Sequence, residues 1–501
     1  MSGRKDVGFL SESSSFDLRS FDLRLVLVLV LLAVLVLPVF ARMYYKNDAM
    51  VGSESYYHLA LAKQLVSSGS VDLFKTPSVV SDSVFLERQR YFTPFHHLLA
   101  WCLVLLGGYS VFVLPALFGV IAVLLFYLLL SSFGFEVHER VVMLLVLVLN
   151  PAFMYTFSVL NVHAASIVFT LAGFLFFLRK GRFFLLLSVV CFSIVALFSI
   201  FNILLAFFLL LVYVLSSKEK QDWFVIVLLV VSVISFSNHT ELFYNYNTEV
   251  SRFDIFGNFI SDLGGMVGFG VFTLILAVYG IVSRWKHKGV FLLYFSLALL
   301  LVLASLLVGS VANMYAMFFV AVAAGVGFGR LLESGWRLGM IKKMTVLIMI
   351  CGFVFSSVSF INRMIDSPPD PVILESLGWM RENAYHDGYV LSAYDNGYWL
   401  MSVGGMKVFA DPLSAQGYDQ RFLYKVADSV FYSRNLKGVK EILQRYDIRY
   451  IFIDGAMKGG GVWNRDDEGL LFLLSDKDTF KKIYSQGDVE IYRVELDAVK
   501  N

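Results

Sequence analysis

Charge is scarce in this chain. Asp, Glu, Lys and Arg together make up 16% of its 501 residues, while hydrophobic residues reach 58%. Ordinary soluble domains carry about 25% charge, so this balance excludes a soluble globular class. Cysteine is nearly missing too: only Cys102, Cys191 and Cys351 occur, each inside an apolar run. They read as buried hydrophobes, and neither a disulfide framework nor a zinc site can be built from them. There is no basic stripe and no interleaving of arginine with aromatics, which leaves no nucleic-acid partner. The net charge of +2 points to no partner either. The first apolar run, Leu25 to Phe40, has no small-residue cleavage site behind it and is expected to stay as an uncleaved first span.

What the chain has in abundance is apolar stretches of about 17–22 residues, the length a helix needs to cross the hydrocarbon core. They fall at 24–42, 110–131, 141–157, 164–179, 183–199, 201–216, 222–238, 264–283, 289–309, 311–330 and 343–361, which makes about eleven transmembrane helices. The connections Arg179-Lys180-Gly181-Arg182, Lys218-Glu219-Lys220, Arg284-Trp285-Lys286-His287-Lys288 and Arg337 to Lys343 hold most of the basic residues. By the positive-inside rule they face the cytoplasm, and all four then fall on one side. This orders the chain as a cytoplasmic segment 1–23, a transmembrane domain 24–361 and an extracytoplasmic tail 362–501. Pro94 to Leu106, short and containing His96 and His97, reads as a helix lying at the outer surface. Outer loops follow at 43–109 and 238–264, with a short connection at 158–163 between them.

The tail reads as α/β. Short strands are expected at Val390-Leu391, Lys407–Phe409, Tyr450–Ile453 and Val489–Tyr492, with helices near Val372–Asn383, Phe422–Ser433 and Leu436–Tyr446. Asp366-Ser367-Pro368-Pro369-Asp370 is the expected linker. The fold class is therefore a polytopic α-helical membrane protein with a C-terminal extracytoplasmic α/β domain.

Four polar segments on one face of the membrane suggest a site, because polar groups at a membrane boundary are costly unless solvated or used. In the first loop, Asp48 and Glu54 lie just past the first span, and His58 follows one turn after Glu54. Carboxylates there suit a hard divalent cation or a general base, although Glu54 also fits a solvated first turn capped by Ser53. Asn161 and His163 flank Val162 and offer an amide oxygen and an imidazole to a metal or phosphate, or only local hydrogen bonds. Glu249 and Arg252 sit in a short charged loop that could close over a ligand. The tail contributes Tyr394-Asp395-Asn396-Gly397-Tyr398-Trp399, an acid among aromatics, which by itself also fits a packed turn.

In this order the segments resemble the catalytic subunit of oligosaccharyltransferase in its single-subunit archaeal and bacterial form, a GT-C membrane glycosyltransferase. Glu54-Ser55-Tyr56-Tyr57-His58 stands where the family has an acid followed by aromatics. Leu114 to Val120 looks like its second span, and Asn150-Pro151-Ala152-Phe153 leads to Asn161-Val162-His163 at its second acidic motif. Asn247-Thr248-Glu249-Val250 is similar to its outer loop with a mechanistically important Glu. Ala393 to Trp399 corresponds to its Trp-Trp-Asp-Tyr-Gly-Tyr-Trp hallmark, with Leu377 to Asn383 before it. The chain departs from the pattern with Glu54 for Asp, Asn161 and His163 for acids, Ala393 and Tyr394 for tryptophans, and no Arg at Asn313-Met314-Tyr315.

The resemblance implies a GT-C-like fold and transfer of a polyprenyl-linked, dolichol-type glycan to the amide of an Asn in an Asn-x-Ser/Thr acceptor polypeptide, within membrane lipid. It implies a divalent cation, Mn²⁺ or Mg²⁺, drawing on Glu54, Asp48, Asn161 and His163, with Glu54 and Glu249 catalytic. Tyr394, Asp395, Tyr398, Trp399, His58 and Arg252 would bind substrate. Two other readings keep the fold: a polyprenyl-phosphate-monosaccharide transferase with a non-protein acceptor, and an inactive paralogue that binds lipid-linked glycan.

Overall fold

The computed structural model describes residues 23–45, 49–67, 93–179, 181–198, 205–206, 210, 259–284, 311–385, 388–412 and 421–495. Eleven helices of the described residues build the apolar part: α1 (Leu23–Tyr44), α2 (Ser53–Ser67), α3 (Pro94–Leu106), α4 (Ser110–Ser132), α5 (Val137–Val148), α6 (Pro151–Ser158), α7 (Val162–Phe177), α8 (Arg182–Phe198), α9 (Val271–Arg284), α10 (Val311–Glu333) and α11 (Gly339–Ile365). Four apolar helical runs among the described residues are long enough to cross a membrane: Leu25–Tyr44, Pro94–Ser132, Val311–Glu333 and Gly339–Ile365. The chain is a multi-pass membrane protein. Of the expected spans, 201–216, 222–238 and 289–309 lie outside the described residues apart from Leu205, Ala206 and Leu210.

Two expectations change. The span expected at 141–157 is two helices, α5 and α6, meeting at 69°. Pro151 opens α6 without an N–H to give, and the Asn150 side chain accepts from the Ala152 N–H at 3.0 Å, restarting the helix as its cap. The surface helix expected at 94–106 instead runs into α4 through the turn Gly107–Tyr109, giving an apolar run of 39 residues. Phe95, His96, Leu99 and Ala100 of α3 are buried, while Trp101, Leu105 and Tyr109 are exposed.

Local chemistry fixes the joints nearest the site. Asn161 caps α7, its Oδ1 accepting from the Ala164 N–H at 2.9 Å. Its Nδ2 donates to the carbonyls of Thr156 (2.9 Å) and Val159 (2.8 Å), which ties the end of α6 to the start of α7. Arg42, buried near the end of α1, donates through Nη1 to the carbonyls of Met364 and Ser367. That places a cation on the C-terminus of α11 and pins the turn that leaves it.

Beyond this turn the chain forms α12 (Pro371–Asn383), β1 (Tyr389–Leu391), α13 (Gly397–Ser402), β2 (Lys407–Val408), α14 (Arg421–Phe431), α15 (Leu436–Arg445), β3 (Ile448–Ile453), α16 (Leu470–Leu473), β4 (Phe480–Gln486) and β5 (Val489–Val494). The strands make one sheet in the order β2-β1-β3-β5-β4, with β1 parallel to β2 and β3 and the remaining pairs antiparallel. Strand alternation divides the sheet between two cores. Val390, Tyr450, Phe452 and Ile491 join the core of the membrane helices. Leu391, Ile451, Ile453 and Tyr492 face a second core with Leu423 and Val430 of α14, Val439 and Leu443 of α15, and Trp463. One face of the sheet thus belongs to the same core as the helices, with α12 packed against β4 and β5, and α13 of the tail motif packs on α2.

Candidate active site

A cavity of about 510 Å³ lies where the sheet-bearing segment meets the helices. Its wall on the helical side includes Gly52 and Ser53 at the start of α2, Tyr155 of α6, and Met266. On the other side stand Tyr394, Asp395 and Trp399, with Tyr424 and Asp428 of α14 and Asp454 after β3. Chemically this is an aromatic and acidic recess, because no Lys, Arg or His lies among its described lining residues.

Glu54 follows Ser53 in the first turn of α2. Its side chain is half exposed. Oε1 is 3.5 Å from His58 Nε2 one turn along the helix. Burial pushes the Glu54 carboxyl up, but contact with His58, with His163 nearby, outweighs it and holds the group below the usual carboxylate range. His163, on the first turn of α7, is buried and stands 3.2 Å from the Tyr315 hydroxyl through Nδ1.

The tail motif closes the other side. The Asn396 Nδ2 donates to Asp454 Oδ2 at 2.9 Å and to Ser392 Oγ at 3.0 Å, so Asn396 is a brace of the turn. Asp395 is pushed up from the usual carboxylate value, first by burial and then by the charge of Asp454. Burial, Asp395 and Tyr424 push the Tyr394 hydroxyl up to about 12, and its ring packs on Tyr424 with centroids 5.3 Å apart. Trp399 is buried in the wall, its Nε1 without a hydrogen-bond partner. Tyr398 does not face the cavity in the same way: its ring lies 5.0 Å from that of Tyr57, which in turn flanks His58 at 5.4 Å. Tyr398 thereby docks the motif onto the helix that carries Glu54.

Tyr394, Asp395 and Trp399 thus line the cavity, whereas Glu54, His58 and His163 are not among its lining residues; Glu54 follows Ser53, which is. Asn161 differs from the expectation of a metal ligand: its amide is committed to capping α7 and bracing α6, for the hydrogen-bonding reasons given above. Asp48, Glu249 and Arg252 lie outside the described residues. Among the described residues no cluster of three or more His, Cys, Asp or Glu suits a metal ion, and Asp48, another of the expected ligands, lies outside them. Tyr315, Tyr155, Asp428 and Asp454 were not signalled by the sequence. Only Tyr315 had a cue, standing in the segment Asn313-Met314-Tyr315 where the family's arginine is expected.

No family model and no curated protein matches the sequence. Solved structures match by shape. The Archaeoglobus fulgidus oligosaccharyltransferase, in complex with Zn and sulfate, aligns with a TM-score of 0.60 at 15% identity over 94% of this chain and 72% of that one. ArnT from Cupriavidus metallidurans aligns with a TM-score of 0.60 at 11% identity, covering 94% of this chain and 98% of that one. The mycobacterial arabinofuranosyltransferase AftD gives 0.57 at 12% identity, over 94% of this chain and 41% of the larger protein. At these identities the likeness is one of fold: the chain has the GT-C fold of membrane glycosyltransferases, as its resemblance to the oligosaccharyltransferase catalytic subunit implied.

Proposed function

We propose that this protein is a membrane glycosyltransferase that moves a glycan from a polyprenyl-phosphate or polyprenyl-diphosphate donor to an acceptor at the outer face of the membrane. In its most specific form it transfers oligosaccharide to the side-chain amide of a protein Asn. One observation carries the reading: within a GT-C fold, a cavity of about 510 Å³ runs from the start of α2, beside Glu54, to Asp395 and Trp399. Support comes from proteins of the same fold, since the Archaeoglobus fulgidus enzyme has been seen with an inhibitory peptide and a dolichol-phosphate, and the Cupriavidus metallidurans ArnT with undecaprenyl phosphate.

In the transfer, the bond from the anomeric carbon to the phosphate oxygen breaks and its electron pair leaves with the phosphate. The acceptor nucleophile bonds to that carbon and gives up a proton. Glu54, held ionised, is the group that takes this proton, and His163 lies close enough to bias its charge. Asp395 and Trp399 hold the acceptor from the opposite wall, the carboxyl by hydrogen bonding and the indole by stacking and its free N–H. Glu249 and Arg252 are assigned to the acceptor and the substrate from the motif alone. The tail 362–501 would then be extracytoplasmic and the N-terminal segment cytoplasmic.

Asn161 favours a second reading, a polyprenyl-phosphate-monosaccharide transferase with a non-protein acceptor. A neutral, already committed amide in place of an acid leaves less negative charge for the cation that a diphosphate leaving group calls for. The test is incubation of the purified full chain with Mn²⁺, lipid-linked oligosaccharide and an Asn-x-Thr peptide, beside a polyprenyl-monophosphate sugar. Glycopeptide is expected, and Glu54→Gln should lower its rate by about tenfold or more. Wild-type rates in Glu54→Gln would remove that residue from the reaction. Product from the monophosphate donor alone would select the second reading, and donor binding without product from either would select the inactive paralogue.

A further inference from the structure

A line of polar side chains leads back from Glu54, and its direction can be read from one backbone amide. The Thr93 N–H donates to His96 Nδ1 at 3.0 Å. A backbone N–H can only donate, so this nitrogen carries no proton. The Thr93 hydroxyl, also 3.0 Å from Nδ1, can donate to the same atom and leaves that polarity unchanged. His96 is therefore neutral, with its proton on Nε2, and Nε2 stands 2.9 Å from His58 Nδ1. His58 Nδ1 must accept, which leaves the His58 proton on Nε2. That atom is the one 3.5 Å from Glu54 Oε1, a charge contact that falls short of hydrogen-bond geometry.

The arrangement follows from local sequence and packing. Thr93-Pro94-Phe95-His96 begins α3, and His96 occupies the third helical position, where its ring reaches back to the Thr93 N–H as a Glu or Gln does in a capping box. Both imidazoles are buried, at 5% exposure for His58 and 2% for His96, so water does not compete for their nitrogens. Phe95 and Tyr57 wall the pair, with ring centroids 5.2 Å and 5.4 Å from His58. A reversed tautomer in either ring would set two N–H groups, or two lone pairs, against each other in a dry site, which is costly.

We infer that His58 and His96 are positioning residues for Glu54, a tautomer-fixed relay in which the Thr93 amide sets which histidine nitrogen points a proton at the carboxylate. The relay rests on the reading of Glu54 as the proton acceptor in glycan transfer. It orients the carboxylate through Oε1 and leaves Oε2 for the acceptor. At 3.5 Å and without hydrogen-bond geometry, the last link is an orienting electrostatic contact.

The experiment has a spectroscopic and a kinetic arm. Nitrogen NMR of histidine-labelled full-length protein in lipid, assigned by difference from His58→Asn, should show His58 and His96 neutral, with bare Nδ1 and protonated Nε2. His96→Gln keeps the polarity, because its Oε1 can accept from the Thr93 N–H and its Nε2 can donate to His58, whereas His96→Leu removes both links. With a working donor and acceptor, His96→Gln should keep turnover within about threefold of wild type. His96→Leu should lower kcat by about tenfold or more, with KM for the lipid donor unchanged. A His58 protonated at Nδ1 in the wild type overturns the relay, and so does equal kcat in the Gln and Leu variants. If the wild type transfers no glycan from either donor, the functional reading fails while the spectrum still decides the relay. If His96→Leu does not fold, the wild-type spectrum and His96→Gln decide it.

Discussion

At Gly397 the tail motif shows why a glycine stands between an acid and its aromatics. A Cβ there would lie 2.8 Å from the Ala410 carbonyl oxygen and from Asp411 Cα, so the chain needs a bare backbone to bring the turn against the segment just past β2. Asp395, two positions earlier, has a different reason to be there. Its folded-state carboxyl holds its proton above the ordinary value of 3.8 because of burial and the Asp454 charge. The folded state therefore binds more protons than the unfolded chain from pH 3.8 up to the raised value, and Asp395 costs stability progressively as pH rises through that window. Asp395→Asn should raise Tm at pH 7 and flatten that fall, as followed by thermal unfolding in detergent across pH 4 to 8. An unchanged pH profile would show that Asp395 ionises without penalty. A destabilised group at a cavity wall is what a ligand-binding role predicts, since a packing role would have selected a neutral side chain.

Among the elements, α9 and α10 pack by backbone contact. A Cβ at Gly280 would stand 2.0 Å from the Ala323 carbonyl oxygen, and one at Gly327 would stand 2.1 Å from that of Leu276. Small residues substitute for large ones here because lipid gives no hydrophobic drive to bring helices together, so close approach and dispersion must do it. Gly327→Leu should force the two helices apart and destabilise the protein by about 3 kcal/mol. Denaturation of the purified variant checks this, and a loss below about 0.5 kcal/mol would mean that the helices are not in backbone contact. Elements differ in how well the sequence announces them. The caps Asn150 and Asn161 and the break at Pro151 are local chemistry written in the chain, yet a hydropathy window passes over Asn150-Pro151 and reads one span where there are two helices. Strand β4 was missed because Phe480 to Gln486 alternates weakly and carries two lysines, and it becomes a strand through its pairing with β5.

For the whole molecule, the shared cavity requires the start of α2 and the 392–399 segment to lie at the same end of the helical bundle. In the proposed orientation, with the basic loops inside, both would be outside. In a cysteine-free background, Lys481→Cys on β4 should react with a membrane-impermeant maleimide in intact cells, while Gly335→Cys between α10 and α11 should react only after permeabilisation. The reverse pattern would invert the topology and move the site to the cytoplasmic face.

The sequence by itself determined that this is a membrane protein, where its apolar stretches run, and that an acid follows the first of them while an acid-aromatic turn stands in the tail. These depend on transfer free energy and on caps and turns, which act over a few neighbouring residues. Glu54 and Asp395 were legible for that reason, as charged groups in apolar company. Only the tertiary structure decided that Ser53, next to Glu54, and Asp395 line one cavity, that Tyr398 packs on Tyr57, that Arg42 holds Ser367, and that His58 and His96 are joined behind Glu54. Those contacts join residues from 38 to more than 300 positions apart. A single histidine in an apolar helix leaves no periodic mark on the chain, because its partner is chosen by packing and not by its neighbours.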